Sequence, residues 1–154
     1  MLKIRCHVRK FLRNRFFPFT TFMLKYSRYR GFLEALIDTG SPYTVVSTRD
    51  ALRLGFPIKR MQSGESVSLA GFRFFNHPIR NVTLIFRTEE EESFSVSIPQ
   101  MGILVPTKIN RSTLNDRRLM AIPSIIGNDF LEDYGFSLYF NPGKKKAFLL
   151  QEQE

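Results

Sequence analysis

"LIDTGSPYTVVS", residues 36–47, sets a single carboxylate, Asp38, between an apolar run and a Thr-Gly-Ser turn. A charge that directly follows "ALI" would be driven out of an apolar site unless neighbouring groups stabilise it or chemistry uses it. The neighbours meet that need. Thr39 carries a hydroxyl that can donate, Gly40 has no side chain and lets its backbone N–H approach closely, and Ser41 offers a second hydroxyl within reach. Donors of this kind favour the ionised form, which a base that activates water must have. The motif occurs once, and no second Asp-Thr-Gly or Asp-Ser-Gly exists in the 154 residues.

Working outward, the segments before and after Asp38 read as short strands and turns. "FTTFMLKY" (19–26) and "FLEALID" (32–38) flank the turn-like "SRYRG" as a hairpin. Beyond the motif, Ser47 or Thr48 caps a short helix that Gly55 and Pro57 terminate. "ESVSLAGFRFF" and "HPIRNVTLIF" alternate apolar and polar residues about a turn expected at "NHP", 76–78. Val82, Leu84 and Phe86 then face Phe94, Val96 and Ile98 across "RTEEEES", whose four glutamates read as a solvated turn. "MGILVP" is a further strand, and the polar stretch 106–121 reads as a surface loop with a helical turn. In "SIIGNDFLEDYG" a buried strand ends at Gly127, followed by a brief helix that Asn128 can cap and Gly135 stops. "FSLYF" and "KAFLL" close the chain as a hairpin over "NPGKK". The expected class is therefore all-β, one domain, with one or two short helices.

Composition agrees with one folded domain: 43% of residues are apolar, 16 of them Phe, and 24% are charged. Cys6 is the sole cysteine and His7 and His77 stand apart, which excludes an internal disulfide and gives no metal cluster; a reducing, cytoplasmic setting fits. The net charge of +9 is localised, since residues 1–30 hold nine Lys and Arg and no acid, whereas residues 31–154 balance 14 bases with 14 acids. Residues 1–18 are read as a basic, solvated extension and 19–150 as the folded domain. An Arg-rich, acid-free start also suits a targeting segment, or an arm for nucleic acid or an anionic membrane.

The stretch "ALIDTGSPYTVVS" resembles the active-site strand and turn of aspartic proteases. Three further segments follow in the order found in retropepsin-like, single-domain members: "DALRLGFP" (50–57), "VSLAGFRFFNHPIRNVTLIF" (67–86) at the place of the flap hairpin, and "SIIGNDFLEDYGFSLYF" (124–140). The resemblance runs from about Phe19 to Leu149. It implies a closed acid-protease β-barrel and an endopeptidase that needs no metal or cofactor. Asp38 is the implied catalytic carboxylate, with Thr39 bonding across a subunit interface and Gly40 and Ser41 holding the carboxylates coplanar. Ser41 in place of Ala implies a more acidic working range. Leu69, Ala70, Gly71, Phe72 and Phe74 are the implied flap, and Ile126 and Gly127 support the site. The family's flaps are richer in glycine than this hairpin, which holds only Gly71 with Gly64 ahead of it.

Hydrolysis by this chemistry takes two carboxylates sharing one proton, one acting as base and one as acid. Close like charges cannot both ionise, so the titration belongs to the pair. One chain supplies one carboxylate, and a two-lobed enzyme needs about twice this length. A homodimer acting on an extended peptide or protein follows, with the C-terminal "KKKAFLLQEQE" expected to supply an interface strand. Asp129 is read as a residue of a helix's first turn, where negative charge is favoured, rather than as the second catalytic group. The alternatives are a catalytically silent retropepsin-like dimerisation or binding module, and a basic nucleic-acid or membrane-associated protein acting through residues 1–30.

Overall fold

Period-two alternation and turn chemistry build most of the molecule. The structure, a computed structural model, describes residues 1–152. Its strands are β1 (Leu2–Arg5), β2 (His7–Lys10), β3 (Phe16–Tyr26), β4 (Tyr29–Ile37), β5 (Val45–Val46), β6 (Glu65–Leu69), β7 (Phe72–Arg87), β8 (Ser93–Pro106), β9 (Ser124–Ile126), β10 (Phe136–Asn141) and β11 (Lys146–Gln151). Among the described residues four short α-helices interrupt them: α1 (Thr48–Arg53), α2 (Arg111–Leu114), α3 (Arg117–Met120) and α4 (Asn128–Tyr134). The chain is mainly β. Eight strands form one sheet in the order β2-β3-β4-β9-β5-β8-β7-β6, with a further β3–β7 pairing, and three form a second in the order β1-β11-β10. No helix among the described residues is long and apolar enough to cross a membrane.

Alternation is clearest where β7 meets β8: Val82, Leu84, Phe86, Val96 and Ile98 are buried while their neighbours face out. The pattern changes from Met101 to Pro106, which are buried without a break. Here β8 lies between β5 and β7 and α1 packs against it, so both faces are covered. "MGILVP" is thus the second half of β8 rather than a strand of its own. α1 starts as its sequence directs, with the Ser47 hydroxyl accepting from the Asp50 amide at 3.1 Å, and Thr48 is left to donate to the Leu104 carbonyl at 2.6 Å.

Four expectations are corrected. The hairpin turn lies at Ala70–Gly71, whose φ values of 52° and 83° close a two-residue connection, and β7 runs straight through Asn76-His77-Pro78. Pro78 is tolerated because it falls between the stretch of β7 paired with β6 and the stretch paired with β3, where β8 is the one neighbouring strand. The polar segment 106–121 is more than a surface loop. It holds α2 and α3, capped by Asn110 and Asp116, and its Leu119 joins Ile122 in a core cluster with Val45, Phe74, Leu104 and Ile125. At α4 the Asn128 side chain makes no capping bond. Finally, β11 is not a free strand: β1 pairs with one of its edges and β10 with the other. Residues 153–154 of that terminal segment lie outside the described residues.

Residues 1–18, expected as an extension, carry β1, β2 and the start of β3, and Ile4 is fully buried in the main core. Their bases are spread over the surface and several are engaged within the chain. Arg9 bonds Glu34 and lies 3.9 Å from the Phe19 ring centroid, Arg5 pairs with Glu91, and Lys3 sits over Phe148. Burial would raise the Glu34 carboxyl, but hydrogen bonds from Arg9 and His7 hold it below the usual range. The half-buried Cys6 thiol, pushed up to about 12 mainly by burial, stays protonated at neutral pH. Replacing Ile4 with Ala is expected to lower unfolding free energy by about 2–5 kcal/mol in a urea titration. An unchanged midpoint would mean that the first strand contributes nothing to the fold.

Candidate functional site

Asp38 stands just past the end of β4, and its position is set by a parallel pairing. β4 runs beside β9 with Ile37 opposite Ile126, and the Asp38 amide donates to the Ile126 carbonyl at 3.0 Å. The turn then closes on itself. The Ser41 amide donates to the Asp38 carbonyl at 3.1 Å, and the Gly40 amide donates to Asp38 Oδ1 at 3.0 Å. The Gly40 donor is the one anticipated from the motif. The Ser41 hydroxyl instead donates to the Tyr43 carbonyl at 3.0 Å and so shapes the loop, not the carboxylate. Thr39 is exposed at the apex of the turn, and Asp38 itself is half-buried.

A second layer fixes this turn to the start of α4. The Asn128 amide donates to the Ser41 carbonyl at 2.7 Å, and the Gly127 amide to Thr44 Oγ1 at 3.0 Å. Thr44 in turn donates from its hydroxyl to Asp129 Oδ1 at 2.7 Å and from its amide to Oδ2 at 3.1 Å. Asp129 is thereby a brace between two loops, with its charge answered by backbone and hydroxyl donors. Gly127 crosses directly beneath: a Cβ there would lie 2.4 Å from the Tyr43 carbonyl oxygen and 2.8 Å from that of Ser41. Only a residue without a side chain permits that approach.

A third layer lies under β5 and β9. Asp50, 3% exposed, accepts from Ser124 Oγ at 2.6 Å and pairs with Arg53 at 3.0 Å, while Ser124 Oγ accepts from the Ser47 amide at 2.9 Å. Every partner is polar and matched, so the charge rests in the interior without an unpaired neighbour. The sequence treats Ser47 as a cap alone; its second partnership, across 77 residues to Ser124, is a product of the fold.

Asp38 opens on a cleft of about 340 Å³. Gly40, Ser41 and Tyr43 border it on one side and Val67, Ser68 and Leu69 of β6 on the other, with Val45, Leu104 and Ile125 among its apolar walls. The five residues expected as a flap are divided by the structure. Leu69 reaches the cleft, Ala70 and Gly71 form the turn, and Phe74 is 1% exposed in the core cluster under the hairpin. Phe72 is half-buried, with the Arg118 guanidinium 5.6 Å from its ring centroid, which fastens the hairpin to α3. The contributions of Val67, Asn76 and Tyr43 to the cleft were not anticipated. Val67 carries a signal, since it shares the face of β6 with Leu69. Tyr43 and Asn76 carry none, because their placement depends on long-range pairing. Glu65, at the start of β6, holds the exposed Tyr43 phenol above its usual range, chiefly through its charge.

No family model matches the sequence, and no curated protein matches it. Among solved structures the chain is similar to the EIAV protease complexed with the inhibitor HBY-793, at 17% sequence identity and a TM-score of 0.43, over 84% of this chain and 96% of that one.

Gly127→Ala is expected to lower stability by about 1–3 kcal/mol, because the added Cβ meets carbonyl oxygens held by the loop and cannot be absorbed by a side-chain rotation. Thermal unfolding checks it, and a wild-type midpoint would show that the loop yields freely.

Proposed function

We propose that the chain is an aspartic endopeptidase of the retropepsin type, hydrolysing peptide bonds with a water molecule activated between its Asp38 and that of a second copy. The observation that supports this most is the setting of Asp38: its backbone is tied to β9, and its carboxylate, steadied by the Gly40 amide, opens on an apolar-walled cleft beneath the β6–β7 hairpin. In this reading the β3–β7 pairing joins the large sheet into the family's closed barrel.

The chemistry then runs as follows. The ionised carboxylate takes one proton from the water as its oxygen bonds to the peptide carbon. The protonated carboxyl of the other copy gives its proton to the carbonyl oxygen, and a neutral gem-diol forms. Collapse returns a diol proton to one carboxylate while the other delivers its proton to the amide nitrogen, so the C–N bond breaks and the pair again holds one proton. Thr39, exposed at the apex of the turn, bonds across the interface and keeps the two loops in register. The β6–β7 hairpin is the flap, and an extended peptide adds along the β6 edge through main-chain hydrogen bonds, with its side chains entering the space walled by Val45, Val67, Leu69, Leu104 and Ile125.

Asp38→Asn tests this. Cleavage of an unfolded protein at acidic to neutral pH is expected to fall by about 10²–10⁴-fold, the scale of losing a positioned acid–base group, while the solution mass stays that of the wild type. A pepstatin-like transition-state mimic should inhibit wild-type cleavage. Equal cleavage by wild type and variant would remove Asp38 from the mechanism.

A further inference from the structure

The outer face of the large sheet carries a patch that the cleft at Asp38 does not use. Register places Met23 of β3 between Phe32 of β4 and Ile85 of β7. All three point away from the core, since their strand neighbours Phe22, Leu24, Leu33, Leu84 and Phe86 are buried in it. Phe32 is 60% exposed, and Met23 and Ile85 are half-buried. Together they form an apolar row across three strands. A single exposed apolar side chain is ordinary on a protein surface, whereas a contiguous group with charges at its rim marks a contact site.

Bases flank the row on both sides. Two residues along the strands in one direction stand Lys25 and Arg30, paired across β3 and β4. In the other direction Arg87 stands two residues beyond Ile85 in β7 and donates to the Glu91 carbonyl at 3.2 Å. Arg5 and His7, at the bend between β1 and β2, join Arg87 around a cavity of about 440 Å³ whose apolar lining includes Met23, Phe32 and Ile85. Lys25, Arg30 and Arg87 make no ion pair among the described residues. Arg5 pairs with Glu91 at 3.3 Å, but both are exposed, and a pair screened by water holds little. Glu34, which lies on this face opposite Thr21, is taken up by Arg9 and His7. The face therefore sets apolar contact between two cationic levels.

We propose that this face binds an extended segment of a partner protein with the pattern acid-x-apolar-x-acid. In an extended chain alternate side chains point the same way about 7 Å apart. The three levels on the sheet are themselves alternate positions along its strands, so the two spacings match. A segment lying along the strands sets one carboxylate by Lys25 and Arg30, its apolar side chain against Phe32, Met23 and Ile85, and its second carboxylate by Arg87 and Arg5. Charge complementarity at both levels selects this occupant. A bilayer is flat on this scale and leaves the cavity unfilled, and a nucleic acid finds a single well-exposed ring in the patch on which to stack a base. The site shares no residue with the cleft at Asp38 and does not depend on the protease reading.

Fluorescence anisotropy of a labelled peptide with the core Glu-Ser-Leu-Ser-Glu, titrated with the full chain, tests it. Saturable binding is expected, weakened about tenfold or more by Phe32→Ser and by Lys25→Glu with Arg30→Glu. Rising salt should weaken it as well. A chain carrying Lys25→Glu, Arg30→Glu and Arg87→Glu should instead prefer a peptide with the core Lys-Ser-Leu-Ser-Lys, a reversal that misfolding cannot produce. The site is overturned by no saturable binding of the glutamate peptide to the wild type, by equal binding to the wild type and Phe32→Ser, or by an unchanged preference in the charge-reversed chain. Equal binding of a peptide with Ser in place of the central Leu also overturns it. So does tighter binding of phosphatidylserine vesicles or of a single-stranded oligonucleotide that the same substitutions abolish, because the face then belongs to that partner.

Discussion

The hydrogen bond from the Asp38 amide to the Ile126 carbonyl is the contact on which the site depends. It is the last rung of the parallel β4–β9 pairing, and it joins two chain segments separated by more than half of the sequence. Past that rung neither strand can continue: β4 turns through Asp38–Ser41, and β9 passes under it at Gly127, where carbonyl oxygens fill the space a side chain would need. The exposed turn is therefore held from below at close range by backbone, with Thr44 and Asp129 bracing it through side-chain bonds. That support lets a short loop hold a carboxylate in one place at the mouth of a cleft.

The same crossing explains why polar groups gather beneath the turn. Strands that diverge after a short parallel pairing leave backbone groups without ladder partners, and buried groups of that kind must bond elsewhere. Thr44 takes up the Gly127 amide, Asp129 takes up the amide and hydroxyl of Thr44, and Ser124 takes up the Ser47 amide. Asp129 and Asp50 thus do structural work for which their charge is suited, and each carboxylate is surrounded by donors fixed in the fold. Asp38 differs in kind. Its side chain accepts from the Gly40 amide and otherwise faces the cleft.

How much of this was legible from residues alone follows from the range of the interactions. Local signals carry the β3–β4 hairpin, the Ser47 cap of α1, the β10–β11 hairpin and the Asp38–Gly40 contact, all of which lie within one segment of the chain or join consecutive segments. Asn76 and Pro78 are common turn formers, yet the turn falls at Ala70–Gly71, which supply the positive φ pair that a two-residue hairpin demands. Pro78 could stay in a strand only because neither β6 nor β3 reaches it, which no local pattern reveals. The segment 106–121 read as surface because its polar residues outnumber the few that matter; Leu119 is recognised as core only once Phe74 and Ile125 are seen beside it. Residues 1–18 misled through charge, since bases that lie over aromatic rings or pair with Glu34 and Glu91 look the same in sequence as bases on a free arm.

The terminal sheet changes what association means for such a chain. In a dimer knitted from swapped termini, each protomer would leave its terminal strands unpaired until a partner arrived, and folding could not be separated from assembly. Here β1, β10 and β11 pair within one chain, and Ile4 and Leu149, opposite each other in that sheet, are fully buried in the main core. The protomer therefore completes its hydrophobic core without help. In the proposed enzyme the fold and the catalytic pair then obey different laws: the first is completed within one chain, the second depends on concentration. Proteolysis would be held in check by dilution, with each copy stable and silent until it meets another.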